Sequence, residues 1–261
     1  MTTKTTTKTI DLVADLGEGF GSWQMGDDDA LLEIVSSANI ACGFHAGDPL
    51  IMDVTVAKCV KKGVALGAHP SFPDLRGFGR YAIDLPAEQV RADVMYQLGA
   101  LAGFAQYHGA RVAHIAPHGK LGNLVAVRED YAEAIAEALY GIDPDLIVMA
   151  GLGTMEHAAK SRGMRVALVG NVDRAYLDDG TLVPRGRPGA VLSDPAEIAE
   201  RAVRLAAEGV VVTTSGAELA VDVDTILVHG DTPEAVETAL AVRQGLEDAG
   251  IRIAPVGSLE Q

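Results

Sequence analysis

Six stretches of the chain end a short apolar run on acids, imidazoles or guanidiniums. The first, "DLVADLGEGFG", offers Asp11, Asp15 and Glu18, and the second, "NIACGFHAGDP", offers His45 and Asp48. "GAHPSFPDLRGFGR" carries His69, Asp74, Arg76 and Arg80, while "HIAPHGKLGN" carries His114, His118, Lys120 and Asn123. "NVDRAYLDDG" follows with Asn171, Asp173, Arg174 and Tyr176, and "VHGD" ends the series with His229 and Asp231. A lone histidine closing a strand is more often structural than catalytic. Four strands that all end this way are hard to attribute to packing. His108 and His157 fall instead in helical patterns, where a solvated or structural role is the default.

Two chemistries use Asp, Glu and several His around one mouth. One is amide hydrolysis, with a carboxylate or imidazole as general base on water and a cation holding the oxyanion. The other is metal-assisted hydrolysis, since neutral His and carboxylate are ordinary ligands of divalent metals. No His-Glu-x-x-His spacing and no G-x-x-x-x-G-K-[ST] loop is present, so a metal site would have to come from converging strands. Gly17, Gly19 and Gly21 suit a tight turn better than an anion cradle. Arg174, Arg185 and Arg187 lie in one Gly- and Pro-containing loop. They either grip an anionic substrate or pair with Asp178, Asp179 or Asp194.

The elements that must position these groups alternate. Strands are expected at Ile10–Asp15, Val35–Ala41, Val64–Ala68, Val112–Ala116, Leu146–Ala150, Arg165–Val169 and Thr225–Val228. Amphipathic helices are expected at Asp48–Lys62, Ala87–His108, Arg128–Tyr140, Gly153–Arg162, Pro195–Ala207 and Pro233–Ala249. Asp194-Pro195 and Asp231-Thr232-Pro233 read as helix starts. Strand–helix alternation argues parallel pairing with right-handed crossovers. In an open sheet the polar ends would cluster at one switch point. Here they recur along the whole chain, so the expected fold is an irregular seven-stranded β/α barrel with a short hairpin inserted near 209–222. Period two puts Asp11, Val13 and Asp15 on one face, and likewise Ala65, Gly67 and His69; His114, Ala116 and His118; and Leu227, His229 and Asp231. His45, His69, His118, His229, Asp15 and Asp231 are expected to converge at the C-terminal end of the barrel.

The chain has 261 residues, 48% of them hydrophobic, which supports a sizeable core. Residues 1–9 read as a flexible tail and 10–261 as a single barrel domain. The formal charge of −15 repels phosphate backbones, which excludes nucleic acid as a partner. No apolar run reaches the length of a membrane span. Cys42 and Cys59 have no metal or redox spacing, read as small buried hydrophobes, and point to a reducing cytoplasm.

Taken in order, "DLVADLGEGFG", "VSSANIACGFHAGDP", "GAHPSFPDLRGFGR", "PHGKLGN", "DRAYLDDGTLVPR" and "VHGDTPEAV" resemble segments of the LamB/YcsF family. The resemblance covers Ile10 to about Pro255. It implies a barrel akin to the glycoside hydrolase/deacetylase barrels. It further implies ATP-dependent opening of 5-oxoproline to L-glutamate, or of a related small cyclic amide, with ATP as co-substrate and 5-oxoprolinase subunits B and C as partners. By match to the motifs, Asp15, Glu18, His45, His69, His118, His229 and Asp231 are the implied catalytic residues. Asp48, Asn123, Asp173 and Arg174 are the implied substrate-binding residues. A divalent metal is left open. Where the family usually has Asn, Lys, Tyr and Glu, this chain has Val13, Ala116, Gly122 and Val169. Those departures keep two other readings in play: a stand-alone metal-dependent deacetylase-like hydrolase, and a catalytically altered binding subunit.

Overall fold

The computed structural model describes residues 8–259. Residues 1–7, most of the expected tail, lie outside them. The first strand begins at Thr9, the last residue of the stretch expected to be tail. The strands are β1 (Thr9–Leu16), β2 (Ser37–Ala41), β3 (Ala65–His69), β4 (Val112–Ile115), β5 (Ile147–Ala150), β6 (Val166–Asn171), β7 (Val210–Val212), β8 (Glu218–Ala220), β9 (Thr225–Val228) and β10 (Arg252–Ile253). The helices are α1 (Asp28–Leu31), α2 (Pro49–Lys62), α3 (Ala87–Tyr107), α4 (Gly119–Val125), α5 (Glu129–Ile142), α6 (Thr154–Ser161), α7 (Pro195–Glu208) and α8 (Ala235–Asp248).

Strands β1, β2, β3, β4, β5, β6 and β9 pair in parallel in that order, and β9 returns to β1 to close a seven-stranded barrel. The β10 strand adds to the outer start of β1. The antiparallel β7–β8 hairpin stands between α7 and β9, as expected. Helices cover the outside, so residues of β1 are buried on both faces. Leu12, Leu16, Ile40, Leu66 and Ile115 belong to the apolar shell between strands and helices. Each fully buried side chain of this kind contributes about 2 kcal/mol. The lumen is filled separately by Val13, Ala116, Ile147, Met149, Ala167, Leu227 and Val256.

Local chemistry fixes the helix ends. Asp48 accepts from Leu50 N and Ile51 N at the start of α2, and Gly63 ends that helix at φ 71°. Asp194 does the same for α7. Asp231 does not cap α8, which begins at Ala235; its carboxylate is taken by Arg80 instead. The short helix α4 occupies a stretch that reads as a loop, because two of its seven residues are glycine.

One irregularity sets the site. Leu66 pairs with Val112, but Gly67 pairs with His114, so β4 carries an extra residue at Ala113. Val112 therefore packs in the outer shell while His114, of the same parity, enters the lumen. Gly67 makes room for it: a Cβ there would lie 1.9 Å from His114 Nε2.

The lumen floor is polar. Asp11, expected among the strand-end acids, lies at the opposite, N-terminal end of β1. It accepts hydrogen bonds from Ser36 Oγ (2.7 Å), Ser37 Oγ (2.6 Å) and Thr225 Oγ1 (2.8 Å). Burial pushes its carboxyl up to about 6, with the three hydroxyls offsetting part of that rise. A carboxyl whose pKa is higher in the folded chain favours folding fully below pH 4, and that contribution is lost as pH rises through about 6. Two units correspond to about 3 kcal/mol. Asp11→Asn, neutral at every pH, should therefore gain about 3 kcal/mol on the parent protein between pH 4 and pH 7 in urea unfolding. A difference that stays constant over this range would mean that Asp11 carries no buried-charge penalty.

Candidate active site

The C-terminal ends of β1 to β4 bring together a buried cluster. Glu18 follows β1, His45 follows β2, His69 ends β3 and His118 precedes α4; all four are buried. One ligand-capable atom of each lies within 4.8 Å of those of the others, so the group could hold a metal ion. His45 Nε2 lies 3.0 Å from Glu18 Oε1, and the His45 ring stacks flat on His118, centroids 3.9 Å apart. His69 Nδ1 donates to Ala116 O at 2.6 Å, and His118 Nε2 donates to Phe78 O at 2.9 Å. Behind them, Asn39 Nδ2 donates to Asp15 Oδ1 (2.9 Å) and Asn39 Oδ1 accepts from His114 Nε2 (2.9 Å).

Electrostatics in this cluster are opposed. Burial raises the Glu18 carboxyl well above the usual range, and the charges of Asp15 and Asp231 push the same way. Asp15 goes the other way: burial alone would raise it, but His69, His229 and His118 together hold it far below the usual range. Burial drives His45 and His118 well below theirs, reinforced by their histidine neighbours, and takes His114 down to about 3.

Farther round the mouth, His229 Nδ1 sits 2.8 Å from both oxygens of Asp173, whose carboxylate also accepts from His229 N at 3.2 Å. Asp173 therefore fixes the tautomer and leaves His229 Nε2 free to take or give a proton. Although burial opposes it, the His229 interaction keeps Asp173 below the ordinary carboxylate range. Asp231 accepts from Arg80 at 2.5 Å and lies 3.9 Å from Arg185. Arg185 thus pairs across the mouth rather than with Asp178, Asp179 or Asp194.

The loop after β3 folds over the histidines. Asp74 accepts from Gly77 N and Tyr81 N and gives the loop its shape. Phe78, at φ 55°, is the only non-glycine with positive φ among the described residues. Its carbonyl holds His118 and its ring packs edge-on against His45 and His118. Gly79 is required beside it, since a Cβ there would meet Ser71 Oγ at 2.2 Å and His118 Cδ2 at 2.9 Å.

Of the residues expected at the site, Asp15, Glu18, His45, His69 and His118 share the cluster, and Asp173, His229 and Asp231 line the adjoining part of the mouth. Three sit otherwise. The Asp48 carboxylate is taken up by Gly21 N (2.7 Å), Leu50 N and Ile51 N. Asn123 is exposed on α4. Arg174 is buried and donates to Ala190 O and Val183 O, so it clamps its own loop rather than facing the mouth. Val13, Ala116 and Val169 stand together in the apolar lumen, whereas Gly122 lies in α4, where a Cβ would be 2.4 Å from Pro117 O. Asn39, Phe78 and the pairing of Arg80 with Asp231 carried no signal of their own in the sequence. A hollow of about 460 Å³ between Glu33, Lys62 and Arg243 lies at the other end of the barrel and gathers no comparable chemistry.

The profile of the LamB/YcsF family matches residues 10–261. A protein from Pseudomonas syringae pv. tomato, named as an A subunit of 5-oxoprolinase, is 49% identical over 251 residues, covering 96% of this chain and 98% of that one. The crystal structure of a lactam utilization protein from Thermus thermophilus superposes with a TM-score of 0.89 at 44% identity, over 94% of this chain and 99% of that one. The deacetylase T48, solved with substrate, shares only the fold, with a TM-score of 0.50 at 18% identity over 98% of this chain and 92% of its own. Matched along nearly its whole length, the chain belongs to the LamB/YcsF family.

Proposed function

We propose that the chain is the A-type subunit of an ATP-dependent 5-oxoprolinase, opening 5-oxoproline to L-glutamate in company with B- and C-type subunits. The observation that carries this reading is the end-to-end match, near one-half identity, to relatives named as A subunits of 5-oxoprolinase. On this reading residues 10–261 work as one barrel domain. Among the described residues no helix is long and apolar enough to cross a membrane. The two unpaired, buried cysteines suit a reducing cytoplasm.

The geometry around the mouth supports the chemistry. Opening a lactam requires a base for the attacking oxygen and a proton for the departing nitrogen. His229, held by Asp173, can serve for both, since its free Nε2 takes the proton in one step and returns it in the next. Two guanidiniums, Arg80 and Arg185, share the single carboxylate of Asp231. Guanidinium N–H groups beyond those facing Asp231 give an anion, such as the carboxylate of 5-oxoproline, a place to bind in an otherwise acidic chain. The cluster of Asp15, Glu18, His45, His69 and His118 flanks the same mouth and completes the catalytic set. Val13, Ala116 and Val169 offer an apolar wall to the ring methylenes. ATP, as co-substrate, supplies the free energy for breaking an unstrained amide.

Purified with B- and C-type subunits of a close relative, the protein should release glutamate from 5-oxoproline only when ATP is present. Absence of glutamate from such a reconstituted mixture would refute the assignment. His229→Ala and Asp173→Asn should each lower kcat by about a hundredfold or more while leaving the thermal midpoint nearly unchanged. Arg185→Ala should raise KM for 5-oxoproline by about tenfold, the scale of one lost charge-assisted hydrogen bond, with little effect on kcat. A change confined to kcat would place Arg185 away from the substrate.

A further inference from the structure

Two backbone carbonyls decide the proton positions in the buried cluster. A carbonyl oxygen only accepts, so His69 carries its proton on Nδ1, facing Ala116 O, and His118 carries its proton on Nε2, facing Phe78 O. In neutral rings the other two nitrogens are then bare lone pairs. Those nitrogens, His69 Nε2 and His118 Nδ1, nevertheless point at each other across 2.9 Å. Carboxylate oxygens stand beside both: Asp15 Oδ1 is 3.4 Å from His69 Nε2, and Glu18 Oε1 is 3.3 Å from His118 Nδ1. With both rings neutral and both carboxylates ionised, four electron-rich atoms converge in a buried pocket with no proton between them. Such an arrangement repels itself unless a positive charge sits at its centre.

The spacing indicates which positive charge. Nitrogens bound to one ion at about 2.0–2.1 Å are separated by about 2.9 Å at right angles and about 3.3 Å at a tetrahedral angle. The two gaps from His118 Nδ1, 2.9 Å to His69 and 3.3 Å to Glu18, match those edges. Each ring is also already held at its far nitrogen by a backbone carbonyl, the usual second partner of a metal-bound histidine. His45 serves in another way. It lies parallel to His118, so its lone pairs cannot converge on the same point, and its Nε2 instead holds Glu18 Oε1 at 3.0 Å.

We propose that His69 Nε2, His118 Nδ1 and the Glu18 carboxylate bind one divalent transition-metal ion, with Asp15 supplying the second compensating negative charge and His45 positioning Glu18. Two imidazoles and a carboxylate select ions of the zinc and cobalt class over magnesium and calcium, which prefer all-oxygen sites. The site stands on this geometry alone and does not depend on the lactam reading.

The test is binding to the full chain, without an affinity tag and stripped by chelator. Zn²⁺ followed by calorimetry should bind at one ion per chain, raise the thermal midpoint and remain bound in a large excess of Mg²⁺. Co²⁺ should give a visible absorption band with the same stoichiometry. His69→Gln and His118→Gln should each weaken Zn²⁺ affinity by about a hundredfold or more, whereas His45→Gln should weaken it by about tenfold. Circular dichroism of the variants confirms that they fold, and the parent protein's own titration carries the test if they do not. The proposal is overturned if the folded parent takes up no Zn²⁺ while nitrogen-15 spectra show His69 doubly protonated, because a proton then occupies the gap. It is also overturned if both glutamine variants fold and bind Zn²⁺ as the parent does.

Discussion

Two buried carboxylates at one end of the barrel dominate this molecule. Asp15 and Glu18 leave β1 at the same end of the barrel, both almost wholly shielded from water. An uncompensated charge there would cost several kcal/mol, so much of the surrounding architecture serves to answer it. The amide of Asn39, reaching across from β2, gives Asp15 a donor and is itself held by His114 from β4. His69 adds a second contact from β3, and His45 reaches Glu18 from the end of β2. The compensation therefore ties four adjacent strands together at the level where substrate would meet them. Stability and chemistry are supported by the same hydrogen bonds.

The two ends of the barrel divide these duties. At the floor, Asp11 is surrounded by three hydroxyls and reaches no histidine. Between floor and mouth lies an apolar band that includes Val13, Ile147, Met149 and Leu227. That band separates one buried acid, raised by burial and answered only by hydroxyls, from others pressed into service. Above the mouth, the loop after β3 acts as a cover whose main anchor is a carbonyl rather than a side chain. Phe78 adopts a backbone conformation unfavourable for a phenylalanine, and the contacts of its carbonyl and ring with His118 and His45 hold it there.

Much of this was legible in the sequence, and what was not has physical causes. Period-two alternation and the polar strand ends located all seven barrel strands and pointed to one mouth for Asp15, His45, His69, His118, His229 and Asp231. Asp48 shows the limit of such reading. An acid before a proline signals a helix cap as strongly as a ligand, and the cap is what its carboxylate makes. Arg174 reads like an anion grip because its role depends on two carbonyls that side-chain patterns do not report. The extra residue in β4 leaves no mark in the composition. The pairing of Arg80 with Asp231 spans 151 positions, beyond the reach of any local pattern.

The closure of the barrel has a consequence for how the chain is made. The first strand built, β1, is completed by partners that come late: β9 at Thr225–Val228 and β10 at Arg252–Ile253. Ribosomes add about 5–20 residues per second, so β1 waits roughly ten to forty-five seconds for the strand that seals it. Throughout that interval β2 to β6 can associate, but both rims of the growing sheet stay open, with Val13 and Asp15 facing an unfinished interior. Nascent chains of this design are thus exposed to edge-to-edge sticking for most of their synthesis. The seam stays open to other chains until β9 has emerged and paired with β1.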